Sequence, residues 1–405
     1  MKKIILALLI VLAVTWVMLP KQNVTSTGAA NFDDFIEALR VEVGIPGLVI
    51  GKISKGEVAF VKGYGLADIE QNKAVTTDTL FNIASISKPI MGLALLQLVD
   101  QGKLSLDTNI NDYLSFTVDN PNFDNEVITL RHLATHTSGI ADYYDINSYS
   151  ENKDADISLT EHLKSLLTST GAQYANGKHF LPHSPGEVRK YSNLAAALAG
   201  QLVQSVTGQT LAEYSQTHLF TPLGLKNTNW LLNDLDLSTV AVPYEVSQCI
   251  QYTSVCANTE EPQSNYVITT LFNPASEFIS YQPYPHFGNP QYPDGGIRTS
   301  INDLSVLLSA LLKNVDSNGN PLLSASMYQE MLKLQLPATL STRQRFFWRD
   351  NNMSLAGHMG SDLGVFSAAY FDVDSKDGFI VLMNRGVDEK AGEAMKQIAV
   401  RVMGM

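Results

Sequence analysis

The chain is 405 residues long, 45% hydrophobic and 17% charged, with a formal net charge of −12. That is length enough for one large core or two smaller ones, and the balance excludes a disordered or low-complexity chain. An acidic surface repels polyanions, and no cluster of lysine and arginine overrides it, so nucleic acid is not an expected partner.

Residues Ile4 to Leu19 form an apolar run broken only by Thr15, with Lys2 and Lys3 before it and Pro20 and Lys21 after it. Sixteen helical residues reach roughly 24 Å against a hydrocarbon core of roughly 30 Å, which favours a signal peptide over a spanning helix. A short anchor, giving membrane association through residues 4–19, is the other reading. Either implies an exported protein in the periplasm or cell envelope. Residues 1–30 are therefore set apart as leader and spacer, and residues 31–405 as one domain.

Gly47 to Ile53 and Val58 to Tyr64 are β-rich runs joined by a turn, and Phe366 to Val373 and Phe379 to Met383 form a second hairpin pattern at the far end. Between them lie helical patterns at Lys88 to Gln101, Leu130 to Thr135, Ser158 to Thr168, Leu194 to Thr207 and Ile301 to Lys313. A further helix is expected over Glu389 to Val402. This order predicts an α/β (α+β) fold: an antiparallel sheet built from both chain ends (about 31–80 and 295–405), flanking helices, and a mostly helical inserted region (about 81–294). The Pro- and Tyr-rich stretch Tyr281 to Asp294 reads as ordered loop. Cys249 and Cys256 are the only cysteines. A local disulfide and two free thiols both stay open, while two thiols without a neighbouring histidine do not make a zinc site.

Chemistry enters at Ser85-Ile86-Ser87-Lys88, which leads into the most apolar helix of the chain. Pro89 lacks a backbone donor and is tolerated only near a helix start, so Ser85 falls at or just before the first turn, with its own N–H free for an oxyanion. Residues three apart share a helix face, and an amine held there out of water can take the serine proton. Ser150 and Lys153 repeat the spacing in a polar stretch, so the pattern alone is weak. Alone, Ser85 reads as a helix cap and Lys88 as a solvated surface residue.

Tyr191-Ser192-Asn193 precedes the helix beginning near Leu194, and is preferred over Tyr174-Ala175-Asn176, which no apolar helix follows. A phenol beside a lysine can shuttle a proton, and an asparagine amide can donate to and accept from a substrate amide. The third motif is Gly357-His358-Met359-Gly360-Ser361, where dense glycine lets backbone approach a substrate closely. His286-Phe287-Gly288 and Lys376-Asp377-Gly378 echo it and are set aside as loop and hairpin tip.

Taken together, these motifs resemble the serine β-lactamase and penicillin-binding superfamily, in particular its class C branch with the D-amino-acid peptidases and esterases. Thr129 to Gly139 and Asp294 to Ser300 are similar to that branch's intervening signatures, and the resemblance runs from about Asp33 to Val402. It implies that Ser85 is acylated, that Lys88 and Tyr191 exchange its proton, and that Asn193 orients the acyl amide. It further implies that the N–H groups of Ser85 and Ser361 hold the oxyanion, with His358 and Gly360 lining the substrate site.

The departure is His358, where typical β-lactamases carry a lysine whose charge helps bind a substrate carboxylate; histidine is mostly neutral at neutral pH. The expected function is therefore hydrolysis of a peptide, amide or ester, of the D-alanyl-D-alanine carboxypeptidase or esterase kind, on a small-molecule or peptide substrate with no cofactor. A class C-like β-lactamase and a non-catalytic penicillin-binding or signalling protein of the same fold are the alternatives. His132 and His136 stand four apart but lack the glutamate a zinc pair needs, so both read as structural, while His179 and His183, in a stretch punctuated by Gly177, Pro182 and Pro185, read as loop positions with no motif for a catalytic role.

Overall fold

The structure, a computed structural model, describes residues 31–123, 126–250, 256–257 and 277–405. Helix α1 (Phe32–Val43) opens with the Asn31 side chain accepting from the Asp34 N–H, carries Asp33 and Asp34 in its first turn, and ends at Gly44 in the left-handed region. It was not anticipated from the sequence. Its signal was present in the spacing of Phe35, Ile36, Leu39 and Val43, the four residues it buries.

Strands β1 (Gly47–Ser54) and β2 (Glu57–Asp68) form the first hairpin, turning on Lys55 and Gly56, both at positive φ. A short β3 (Lys73–Ala74) follows. From the other end come β4 (Arg349–Asp350), β5 (Ala356–Asp362), β6 (Val365–Phe371) and β7 (Gly378–Met383). All seven share one antiparallel sheet in the order β4-β5-β6-β7-β1-β2-β3. The two ends meet where β1 pairs with β7, Leu48 opposite Met383 and Ile53 opposite Gly378. This is the β-lactamase/transpeptidase-like fold, an antiparallel sheet with flanking helices.

Both faces of the central strands are covered, which explains their near-continuous apolar runs. Leu48, Ile50, Val381 and Met383 pack with α1 and the closing helix α7 (Glu389–Met403). Val49, Ile53, Ile380 and Leu382 turn the other way, into the larger core of the inserted helices. Those helices include α2 (Ser87–Asp100), α3 (Leu130–Ala134), α4 (Leu159–Leu167), α5 (Asn193–Thr207) and α6 (Ile301–Lys313). Along α2 the burial is continuous from Ser87 to Leu96, so the head of this helix lies deep in the protein rather than on its surface.

One expectation needs correction. Tyr281 to Asp294 is only partly loop, because Glu277–Pro283 is a strand paired with Tyr244–Ile250, and Phe287–Gly288 pairs with Ser150–Glu151. The prolines at its ends mark where pairing stops rather than its absence. Cys249 and Cys256 stand opposite each other in strand register, while their side chains fall outside the described residues, as do residues 4–19. Among the described residues no helix is long and apolar enough to cross a membrane.

Candidate active site

The turn carrying Ser85 is built under tension and braced from three sides. Ala84 sits at φ 45, a left-handed conformation that a residue with a Cβ rarely adopts. Its N–H donates to Asn82 Oδ1 at 2.8 Å. Ile83 donates to Ile297 O at 3.0 Å, and Ile297 donates back to Ser87 Oγ at 3.1 Å. Ser367 Oγ of β6 donates to Ile83 O at 2.9 Å. Ser85 lies in the single turn Ala84–Ile86 that runs into α2, and this turn packs against β5.

Three of the expected residues meet at that hydroxyl. Lys88 Nζ donates to Ser85 Oγ at 3.0 Å, and Tyr191 Oη donates to the same oxygen at 3.0 Å. Lys88 is wholly buried and forms no ion pair among the described residues; it also donates to the Asp294 carbonyl and lies 5.2 Å from the centre of the Tyr191 ring.

Tyr191 owes its position to the N-terminus of α5. Ser192 caps that helix, accepting from the Ala195 N–H at 3.0 Å, and Asn193 is its first residue. Both Asn193 N–H groups that could reach outward are engaged: its backbone N–H donates to Asp142 Oδ1 at 2.8 Å, and Nδ2 donates to the Asp142 carboxylate at 3.1 and 3.2 Å. Its Oδ1 is buried without a partner. Asn193 therefore offers an acceptor and no spare donor, narrower than the sequence suggested.

His136 is structural, but it belongs to the site. Its ring packs on Tyr191 with centroids 4.3 Å apart, and its Nδ1 accepts from the Ser192 N–H at 3.3 Å. Complete burial, then the neighbouring Lys88, hold it well below the usual histidine range. It is a neutral wall, and its positive φ is one that histidine tolerates better than most residues. Its signal was the Thr129–Gly139 stretch, and Asp142 just beyond that had none.

On the facing side, β5 brings Gly360 against the Ser85 turn: a Cβ at 360 would meet Ile83 O at 2.3 Å and Ser367 Oγ at 2.4 Å. Glycine here is a requirement of close approach. Ser361 follows and lines a pocket with Ser85. His358 stands one ring from Tyr191, centroids 6.3 Å apart. Loss of solvent around the imidazole, then the charge of Lys88, push it down to about 3, so it is neutral at pH 7. Its Nδ1 lies 2.5 Å from the Met359 carbonyl; a carbonyl can only accept, so Nδ1 carries the proton and Nε2 is the free acceptor.

The competing motif copies stay away from this hydroxyl. Ser150 is in a short strand and Lys153 pairs with Asp156 at 2.6 Å. Tyr174 Oη donates to Asp119 O at 2.7 Å, and Lys376 turns the β6–β7 hairpin. The proline-rich loop is different, because Phe287, set aside as loop, lines the pocket beside Ser85. His179 Nε2 bonds the Gln173 carbonyl at 3.1 Å, and His132 closes a capping box with Thr129. Among the described residues no group of three or more His, Cys, Asp or Glu could hold a metal ion.

Comparison with known proteins gives a consistent family. The Beta-lactamase family model matches residues 32–402. Protein flp of Staphylococcus aureus (strain MW2) is 32% identical over 224 residues, which is 55% of this chain and 43% of flp. Esterase EstB of Burkholderia gladioli is 33% identical over 231 residues, 54% of this chain and 55% of the esterase. The alignments thus span about half the length of the curated relatives. Among solved structures, the D-amino acid amidase of Ochrobactrum anthropi SV3 superposes over 91% of this chain and 98% of its own with a TM-score of 0.64 at 19% identity, a likeness of fold.

Proposed function

The chain belongs to the Beta-lactamase family, and on that footing we propose that it is a serine hydrolase acting through an acyl-enzyme on Ser85. The observation that carries this reading is the pair of 3.0 Å contacts that Ser85 Oγ makes with Lys88 and Tyr191. Among the described residues the hydrogen bonds to that oxygen come from the amine and the phenol and not from a histidine, which supports Lys88 and Tyr191 as the groups that move its proton.

In the proposed cycle Ser85 Oγ attacks the substrate carbonyl carbon as its proton passes to Lys88 or Tyr191. The oxyanion is held by the N–H groups of Ser85 and Ser361, and Asn193 Oδ1, the free acceptor, takes the N–H of an acyl amide. The carbon–heteroatom bond then breaks, and the leaving group receives its proton from Tyr191. Water adds to the ester in the reverse sense: its proton goes to the same pair, the bond to Ser85 breaks, and the hydroxyl regains its hydrogen. No metal or organic cofactor enters these steps.

The substrate proposed is an ester or an amide of the esterase and D-amino-acid peptidase kind, in keeping with the esterase and amidase among the similar proteins. β-Lactam turnover is the weaker reading, because a neutral His358 supplies no fixed charge for the carboxylate of such a substrate. The test is hydrolysis of a p-nitrophenyl ester by wild type and by Ser85→Ala, folding checked by circular dichroism. Turnover lost with fold retained is the expected result, and turnover retained by the variant rules out the proposed nucleophile.

A further inference from the structure

We propose that a second cavity, between the α2–α3 connection and the segment following α4, binds a neutral sugar ring. It shares no lining residue with the pocket beside Ser85, so the inference stands apart from the reading of Ser85 as nucleophile.

The cavity holds about 460 Å³, within the range of roughly 300–1,000 Å³ usual for small-molecule sites. Its walls are braced. Asn111 clamps the Val118 backbone, Oδ1 accepting from the N–H at 2.9 Å and Nδ2 donating to the carbonyl at 3.3 Å. Asp119 is held three ways: its N–H donates to Leu167 O at 2.9 Å, its carbonyl accepts from Tyr174 Oη at 2.7 Å, and its Oδ2 accepts from the Ser169 N–H at 2.7 Å. The polar groups are therefore fixed in place before a ligand arrives, which lowers the cost of binding one.

What the braces leave over is a donor beside an acceptor. Asn120 Oδ1 accepts from the Asn122 N–H at 3.0 Å, while its Nδ2 is buried with no hydrogen-bond partner. On the preceding residue, Asp119 Oδ1 receives no donor among the described residues. Asn109 accepts from the Asn111 N–H at 3.1 Å through Oδ1 and likewise keeps its Nδ2 in reserve. A buried amide donor without an acceptor is costly. A hydroxyl answers both needs, since it donates one hydrogen and accepts through two lone pairs, and neighbouring hydroxyls of a sugar ring serve Asp119 and Asn120 together. Phe123, half-buried in the same lining, offers apolar surface to the C–H face of such a ring.

Other ligand classes match this lining less well. It contains Asp119 and Glu126 and, among the described residues, no lysine, arginine or histidine, so phosphates and carboxylates are repelled. Two carboxylates fall short of a metal site, and no larger group of ligating side chains exists among the described residues. A polyamine has only donors at neutral pH and leaves the amide N–H groups of Asn109 and Asn120 unanswered; an alkyl chain leaves every one of these groups so.

The test is titration of the full chain with the methyl glycosides of glucose, mannose and galactose, and separately with spermidine, followed by saturation-transfer NMR. At least one glycoside should bind wild type with a Kd of about 10 mM or tighter, and bind Ser85→Ala equally. Asn120→Ala, which removes the free donor, should weaken that binding at least about threefold. Ser169→Trp, at an exposed position on the rim, fills the cavity and should weaken it at least about tenfold. Both variants should hydrolyse p-nitrophenyl acetate as wild type does. If Asn120→Ala does not fold, Ser169→Trp carries the comparison alone.

Three results overturn the site: no glycoside bound at about 50 mM, binding that survives in every folded variant, or binding lost in Ser85→Ala, which would place the sugar in the catalytic cleft. Spermidine binding more tightly than every glycoside, and weakened by the same two substitutions, overturns the sugar in favour of a cation.

Discussion

Gly360 and Ile83 are in such close approach that a single methyl group between them has nowhere to go: a Cβ on residue 360 would stand 2.3 Å from the Ile83 carbonyl oxygen. The carbonyl is backbone, two residues before Ser85, and is already fixed by Ser367. Gly360→Ala should therefore push β5 away from the nucleophile. The expected outcome is a fall in kcat/KM of about tenfold or more with a melting point lower by several degrees, since forced overpacking costs about 1–3 kcal/mol. Unchanged activity and melting point would show that the strand can move without consequence.

Lys88 and Tyr191 are predicted to separate chemistry from stability. Lys88→Met removes a buried amine that has no ion-pair partner among the described residues, so turnover should collapse while the melting point holds or rises. Tyr191→Phe keeps the ring on His136 and loses only the hydroxyl, and kcat should drop by about 10²–10⁴ with little change in KM. Steady-state kinetics beside thermal unfolding measures both. Near wild-type turnover in either variant would take that residue out of the proton path.

The state of His358 can be read from pH. Its ordinary ionisation is depressed to about 3, so it is neutral from pH 5 to 8, and the ratio of kcat/KM for a carboxylate-bearing ester to that for a neutral ester should be flat across that window. His358→Lys installs a fixed charge, and KM for the carboxylate-bearing ester should fall by about tenfold. A histidine-like step in the wild-type ratio, or no response of KM to the lysine, would contradict the placement of this ring in the substrate site.

Asp294 links pH to stability. Its folded value is raised from 3.8 to about 7, so the folded state prefers the protonated acid. That contribution is complete below the unfolded value and is lost as pH rises through about 7. Asp294→Asn cannot ionise, and its melting point relative to wild type should rise from pH 5 to pH 8.5. A difference that is constant with pH would mean that the buried carboxyl does not titrate in this range.

Much of this was legible in the chain because the signals were local. The two hairpins at opposite ends carried alternation and turn residues, and Ser85, Lys88 and Pro89 sat at the head of a helix too apolar to be anywhere but inside. What escaped reading depends on contacts between distant segments. Asp142 holds Asn193 from 51 positions away, and nothing in its own neighbourhood marks it. The Tyr281 to Asp294 stretch is rich in proline and read as loop, yet a strand partner at Tyr244–Ile250 and the wall of the Ser85 pocket both recruit it. The left-handed Ala84 is also invisible in sequence, since alanine predicts the opposite; the strain is maintained by Asn82, Ile297 and Ser367 around it.

The most direct test of the nucleophile is covalent. Wild type and Ser85→Ala are treated with a fluorophosphonate, and the intact mass and the modified peptide are read by mass spectrometry. One adduct per chain, mapped to Ser85 and absent from the alanine variant, is the predicted result. An adduct on another residue, or equal labelling of the variant, would contradict the account.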